Sequence, residues 1–438
     1  MTDTRKLKTF QSSFLEESFT RFTHPCGCDI YVFPKSTSST YAIFGSRYGS
    51  IHNIFKKEGD ADFITVPDGI AHFLEHKLFT NEDGSDSFER FSEFGADANA
   101  YTSFNKTAYL FSCTDRFSDS LGELIDFVTH PYFTKESIES EIGIIAEEIK
   151  MYDDNPQDRC FYGMLEGMYH SHSIKRNICG SEKTISKITP KLLYSCYDLF
   201  YQPWNLCLIV CGNVSPEEVY KIADRHLPRF SKKTEVTLAN ENKNESSEAN
   251  TPARDIEMQV SKPLFNIGFK DTDIPDSPYE RLKKDAAMSI LCEMLFSTSG
   301  ELYNSLLNDG FISPAFSYGY SITDSFAYCS LAGEAADPYS VLEKIEEYIE
   351  QKKVSGLSEE DFKRGKRVML ADFIKNSDSS ENIANNLFSF VCDSAEEHFL
   401  TFTDILSNID FSEVERLLGD IFKKEYRTIS IVRPNSKK

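Results

Sequence analysis

Positive charge is scarce in this 438-residue chain: 47 lysines and arginines stand against 69 aspartates and glutamates, a formal charge of −22. A nucleic-acid backbone repels such a surface and no basic run offsets it, so nucleic-acid binding is not expected. Basic peptides suit the charge, and acidity kept only for solubility suits it equally. Long apolar runs are missing too. No stretch approaches the ~20 residues that cross a bilayer, so no membrane partner is expected. Met1 to Glu17 holds neither an apolar signal core nor a small-residue cleavage site. The eleven cysteines are odd in number and scattered, most of them inside apolar runs, as Cys207 and Cys211 are within Leu206–Gly212. That is the pattern of reduced, buried thiols, and the chain reads as cytoplasmic. Cys26-Gly27-Cys28 is the one close pair; it is too tight for a usual zinc knuckle, has no second pair, and reads as turn filler.

What is present describes a globular chain of more than one domain. Hydrophobic residues make up 40% and charged residues 26%, and at roughly 100–200 residues per domain the length allows two to four. Ser231–Asp255 is polar and rich in Asn, Glu and Ser, and reads as a linker between 1–230 and 256–438. Both halves run from strand-like text through helices to a closing strand, Leu206–Gly212 in the first and Thr428–Val432 in the second. Phe79 and Phe296 end Leu-Phe pairs that close corresponding helices. The layout predicts an α+β fold built by duplication, two similar domains of mixed sheet and helix facing each other across a cavity. Protease nicking is expected first within Asn240–Pro252.

Histidine is rare, with 9 in the chain, yet two fall in Ile70-Ala71-His72-Phe73-Leu74-Glu75-His76-Lys77-Leu78-Phe79. Asp68 can cap a helix there. At 3.6 residues per turn His72 and His76 share a face one turn apart, a spacing that lets both imidazoles reach one Zn²⁺ at ~2.0–2.1 Å. Glu75 lies beside them, free to take a proton from a water on the metal. H-x-x-E-H is the inverted zincin pattern. Two histidines are too few, because a catalytic zinc usually has three protein ligands and one open position. In Lys135–Tyr152 the apolar residues Ile138, Ile142, Ile145 and Ile149 form one stripe, and Glu141 and Glu148, seven apart, share a face beside it. Taken alone, this reads as a Glu-rich amphipathic helix with a solvated face.

These residues together resemble the insulinase/pitrilysin family, which includes the mitochondrial processing peptidases. The resemblance lies in His-Phe-Leu-Glu-His, in Gly95-Ala96-Asp97-Ala98-Asn99-Ala100-Tyr101-Thr102-Ser103, in Glu141-x₆-Glu148 with the text from Gly143 to Pro156, and in Val210-Cys211-Gly212-Asn213-Val214. It covers the first half densely and the second only in layout, and it is closest to small bacterial two-domain members. The resemblance implies a zinc metalloendopeptidase with one Zn²⁺ per chain. It implies His72, His76 and Glu148 as ligands, Glu75 as general base and Glu141 as the carboxylate that orients a ligand histidine. Glu147 is a rival for Glu148, which alone stands seven residues from Glu141. It also implies that Asn99, Ala100, Tyr101, Thr102 and Ser103 form the edge to which a peptide substrate adds as a strand.

The second half departs from the family's pattern. Where active members carry text like L-R-E-x-G-L-x-Y, this chain reads Leu306-Leu307-Asn308-Asp309-Gly310-Phe311-Ile312-Ser313-Pro314-Ala315-Phe316. The arginine is missing and Phe316 takes the tyrosine's place, with Tyr318 and Tyr320 nearby. A heterodimer with a paralogue that lacks the metal motif but keeps those groups is therefore expected. The alternative is a zinc-binding scaffold or regulatory subunit that hydrolyses nothing.

Overall fold

The structure is a computed structural model that describes residues 7–229, 233–241 and 245–435. Its strands, in chain order, are β1 (Lys8–Ser12), β2 (Glu17–Thr23), β3 (Asp29–Pro34), β4 (Thr40–Ser46), β5 (Ile54–Lys57), β6 (Ile64–Thr65), β7 (Asp97–Thr102) and β8 (Thr107–Cys113). They continue as β9 (Leu206–Gly212), β10 (Val236–Leu238), β11 (Ala253–Met258), β12 (Leu264–Asp271), β13 (Ser317–Ile322), β14 (Ala327–Glu334) and β15 (Arg427–Pro434). Five helices carry the argument: α1 (Ile70–Leu78), α2 (Lys135–Asp154), α3 (Pro156–Met168), α4 (Pro278–Phe296) and α5 (Ser380–Cys392). Local sequence sets many starts in the same way. Asn155, Thr189, Ser215, Ser277 and Asp337 each accept a backbone N–H of the first turn through the side chain, and each is followed by proline. Proline's fixed φ suits the first helical position, where its missing donor costs nothing.

Two compact units result. The first combines the residues up to Ile149 with Asn177–Ala239 and Ile374–Thr401; the second combines Lys150–Arg176, Asn240–Phe373 and the chain from Phe402 onward. The units are therefore not the linear halves 1–230 and 256–438, because each includes a stretch from the other half. Their main sheets share one topology. The first unit's sheet runs β1-β2-β3-β9-β4-β8-β7 and the second's runs β11-β15-β12-β14-β13. Setting β1 and β2 aside, both place their five strands in the order first, fifth, second, fourth, third. In both, the first strand is parallel to the fifth and every other pair is antiparallel. The duplication expected from layout is thus visible as matched pairing.

The central strands β4 and β9 are buried along their whole length, as strands covered on both faces are. In the first unit α5 packs on β4 and β9. It comes close because Gly45 has no side chain: a Cβ there would stand 2.3 Å from Phe388. In the second unit α3 packs on β12 and β15, the corresponding strands, and its Gly163 and Gly167 lie against Ser430 and Thr428. The helix between the fourth and fifth strand of each repeat therefore belongs to the unit of the other repeat.

Of the linker text Ser231–Asp255, residues 231, 232 and 242–244 lie outside the described residues. The rest is more than a tether. β10 pairs with β5, which pairs with β6, in a small antiparallel sheet of the first unit. In the second unit Glu245 accepts from the N–H groups of His170, Ser171 and His172, and Glu241 from that of Ser173. The N–H groups of Asn250 and Thr251 donate to Met168 and Gly167. Easy nicking thus loses its basis for residues 245–252. Composition reported little to bury, but this polar segment is held by backbone donors rather than by apolar surface.

Candidate metal centre

The motif helix α1 begins at Gly69, with φ 90°, and not at a cap by Asp68. Glycine is required there, since a Cβ would stand 2.4 Å from the carbonyl oxygen of Cys179. Asp68 instead accepts from Asn53 Nδ2 at 2.6 Å. Every residue of α1 except His76 is buried. On α2, Ile138, Ile145 and Ile149 are buried and Ile142 is half-buried. That stripe turns Glu141 and Glu148 toward α1 and leaves Glu147 exposed.

The two helices bring four of the expected residues together. His72 Nε2 lies 3.6 Å from Glu148 Oε1, and His76 Nε2 lies 3.4 Å from Glu148 Oε2. His76 Nδ1 meets Glu141 Oε1 at 3.1 Å. Lys77, a buried residue the sequence reading passed over, reaches Glu141 Oε2 and Thr80 Oγ1, each at 3.3 Å. Burial acts to lower the His76 pKa, but its bonds to Glu141 and Glu148 outweigh burial and raise it to about 10. His72, and then His76, hold the Glu148 carboxyl far below the usual carboxylate range. Burial works to raise Glu141, yet His76 and Lys77 keep it low.

An imidazole set between two carboxylates, Glu141 and Glu148, marks a place where a divalent cation would be favoured. The residues fit such an ion. Two nitrogen or oxygen donors at 2.0–2.1 Å from one tetrahedral zinc stand about 3.3 Å apart, close to the two separations from Glu148. Glu148 Oε2 is held by the ion pair with His76 Nε2 at 3.4 Å, and His72 Nδ1 is buried without a hydrogen-bond partner among the described residues. A metal would draw both Glu148 and the two imidazoles onto itself.

Glu75 is 7% exposed, and burial raises its pKa above the usual range. Its Oε2 accepts from Thr102 Oγ1 at 2.7 Å, so the end of β7 touches the motif helix. β7 is one of the two edge strands of its sheet. On that edge the N–H of Ala100 is capped by Asn99 Oδ1 at 2.9 Å. The strand ends at Thr102. Ser103 lies in the following turn, with its N–H bonded to Lys106 and its carbonyl accepting from Ser50. Asp97, Asn99 and Tyr101, on one face of β7, line a cavity of about 360 Å³ together with Glu381 and Asn385.

A further residue lies beside the histidines. Cys179 Sγ stands 3.8 Å from His72 Nε2, and His72, Glu148 and Cys179 offer donor atoms within 4.8 Å of one another. The separation of 107 positions hides this in the sequence; the signal available was the Cys179-Gly180 pair, a glycine where the backbone makes a tight turn. In the second unit, α4 corresponds to α1 but presents Glu293 with no histidine. Glu293 accepts from the Tyr318 hydroxyl at 2.6 Å, and Asp271 accepts from that of Tyr320 at 2.7 Å.

These features define a class, and the chain belongs to it: it is a member of the insulinase family, peptidase family M16. A family model described as Insulinase (Peptidase family M16) matches residues 66–182, and one described as Peptidase M16 inactive domain matches residues 187–369. In particular, the chain is similar to YmfH of Bacillus subtilis, named an uncharacterized zinc protease. The two are 34% identical over 98% of this chain and 100% of the relative. YmxG of the same organism, also named an uncharacterized zinc protease, is 25% identical over 84% and 88%. A solved M16-like structure from Alicyclobacillus acidocaldarius superposes with a TM-score of 0.89 at 28% identity, covering 99% of this chain and 100% of that one. A protease of Helicobacter pylori matches at 0.81 and 18%, over 95% and 100%. No helix among the described residues is long and apolar enough to cross a membrane.

Proposed function

We propose that this chain is a zinc metalloendopeptidase for unstructured peptides, holding one Zn²⁺ through His72, His76 and Glu148. The observation that carries this reading is the convergence of two imidazole nitrogens on one carboxylate, His72 Nε2 at 3.6 Å and His76 Nε2 at 3.4 Å from Glu148. Zinc bound there would lower the pKa of a water toward ~7 and polarise the scissile carbonyl. Glu141 orients His76 and is itself held by Lys77. Glu75 takes the proton of the attacking water and returns it to the leaving amine, with Thr102 fixing the carboxylate. A peptide adds to β7 as an extra strand, displacing the Asn99 side chain from the Ala100 N–H. The cavity beside β7 takes one substrate side chain, and Asp97 and Glu381 favour a basic one there.

Metal analysis tests the assignment. The purified protein is expected to carry about one zinc per chain, the number a single three-ligand site holds. His76→Ala and Glu148→Gln are expected to lower occupancy, and Glu147→Gln to leave it unchanged. Full occupancy in His76→Ala would remove the basis of the reading, and loss through Glu147 alone would move the third ligand to that residue.

We also propose a heterodimer with a paralogue that lacks the metal motif. The arginine is absent from Leu306–Phe316, and the hydroxyls of Tyr318 and Tyr320 are already bound to Glu293 and Asp271. Groups that orient a peptide lower the barrier to its hydrolysis, so the chain alone works slowly. Mixing with the paralogue is expected to raise turnover at least about tenfold, that is ~1.4 kcal/mol of barrier. Full activity of the chain alone, lost in Tyr318→Phe or Tyr320→Phe, would overturn the pairing. The same occupied tyrosines favour a second reading, a zinc-binding scaffold without turnover; peptide cleavage that a chelator abolishes excludes it.

A further inference from the structure

We propose that Lys77 is a positioning residue of the metal centre: its buried ammonium fixes the Glu141 carboxylate, so that His76 keeps Nδ1 engaged and offers Nε2 to the ion. This rests on the zinc reading above, and it makes retention of the metal depend on a side chain that is not a ligand. A lysine is almost never fully buried unless it is paired. Lys77 is 2% exposed, and among the described residues Glu141 is the one carboxylate it meets, Nζ to Oε2 at 3.3 Å. Thr80 Oγ1 accepts from the same ammonium, also at 3.3 Å.

Both oxygens of Glu141 are thereby committed to consecutive residues of α1. Oε1 meets His76 Nδ1 at 3.1 Å, and Oε2 meets Lys77 Nζ. The last torsion of a glutamate is broad, so a single bond leaves the carboxylate free to turn, whereas two bonds on separate oxygens fix its plane. What Nδ1 is bonded to decides which ring nitrogen is left for a metal. Here that nitrogen is Nε2, the atom 3.4 Å from Glu148. The Glu141 side chain is 13% exposed, close enough to water to escape. Without the ammonium it is a largely buried charge with one partner fewer, and solvent draws it away from His76.

Two other roles for Lys77 leave different signatures. A cation in the last turn of α1 suits the helix dipole, which supports the fold without acting through Glu141. A positive charge near a divalent ion also repels it, so removal of that charge alone tightens metal binding.

Chelator competition for zinc on the full chain separates the three. Lys77→Met is expected to lower zinc affinity at least about tenfold, the lower end of what the loss of an outer partner of a ligand costs. Glu141→Gln is expected to lower it too. Lys77→Met added to Glu141→Gln is expected to bring no further loss, because the group through which Lys77 acts is already gone. The double variant strands neither charge, so its comparison with Glu141→Gln stands even where Lys77→Met alone does not fold. Affinity that rises in Lys77→Met would overturn the proposal in favour of repulsion. A loss as large in the Glu141→Gln background as in the wild type would overturn it in favour of a role in the fold. In both cases the wild-type chain still binds zinc and the zinc reading stands. A wild-type chain that binds no zinc would instead overturn that reading, and the role of Lys77 with it.

Discussion

Glu75→Gln is expected to lower peptide turnover by about 10²–10⁴-fold, the usual worth of a positioned acid–base group, while zinc content and peptide binding stay as they were. The glutamine is nearly the same size, and it keeps an oxygen that can accept from Thr102 Oγ1. What it cannot do is hold a proton between the attacking water and the leaving amine. Glu75 sits between His72 and His76 in sequence but is not required as a ligand, so this variant separates chemistry from metal retention in a way His76→Ala does not. Single-turnover cleavage of an unstructured peptide, alongside metal analysis of the same sample, is the measurement. Turnover within a few-fold of wild type would strip Glu75 of the role and leave the metal site standing.

The second large effect lies in the other unit. Lys270 and Glu245 form an ion pair at 2.5 Å with side chains 0% and 2% exposed. Burial pulls the Lys270 ammonium below the usual lysine range even with Glu245 beside it. Burial acts to raise Glu245, but Lys270 and the N–H groups of His170 and Ser171 hold it down to about 2. Glu245→Ala leaves a buried ammonium without its partner, and breaking such a pair costs about 3–5 kcal/mol. At 2–4 °C per kcal/mol for a domain of this size, melting of the second unit is expected to fall by roughly 6–20 °C. Glu245→Ala combined with Lys270→Met is expected to recover part of the loss, because the stranded charge is gone. The sign with pH follows from the lowered carboxyl. Its stabilisation is fully present above an unfolded glutamate's ~4.3 and is lost as pH falls toward about 2. A melting temperature unchanged in Glu245→Ala would show that the pair anchors nothing.

The sequence exposed the parts of the site that lie on regular helices. His72 and His76 share a face by helical period alone, and Glu141 and Glu148 do so on the next long helix, so pattern led to pattern. The preference for Glu148 over Glu147 came with the family resemblance, on the seven-residue step from Glu141; in the structure Glu147 is exposed. Contacts made by chain crossing were hidden. Nothing near Lys77 announces that it pairs with Glu141, 64 positions away. The approach of Cys179 depends on two glycines docking against distant backbone. Duplication was legible in outline because hydrophobic runs mark strands, while the partner of each covering helix was not. A helix's apolar face shows that it must be buried and is silent about the sheet that buries it. The anchoring by Glu241 and Glu245 was hidden for a related reason: carboxylates in a polar stretch look solvated until the backbone donors they accept from are known.

The crossing of α3 and α5 has a consequence for how the molecule is made. Each repeat lends its equivalent helix to the opposite sheet, so the chain is the covalent counterpart of a domain-swapped dimer. On the ribosome the half that carries the histidine motif emerges first, yet its sheet stays uncovered over β4 and β9 until Ser380–Cys392 has been synthesised. Until then Gly45 has no Phe388 to receive. A gene cut at residue 230 would therefore not yield a zinc domain and a spare. It would yield two nascent sheets with apolar faces open, each lacking the helix that the other fragment carries.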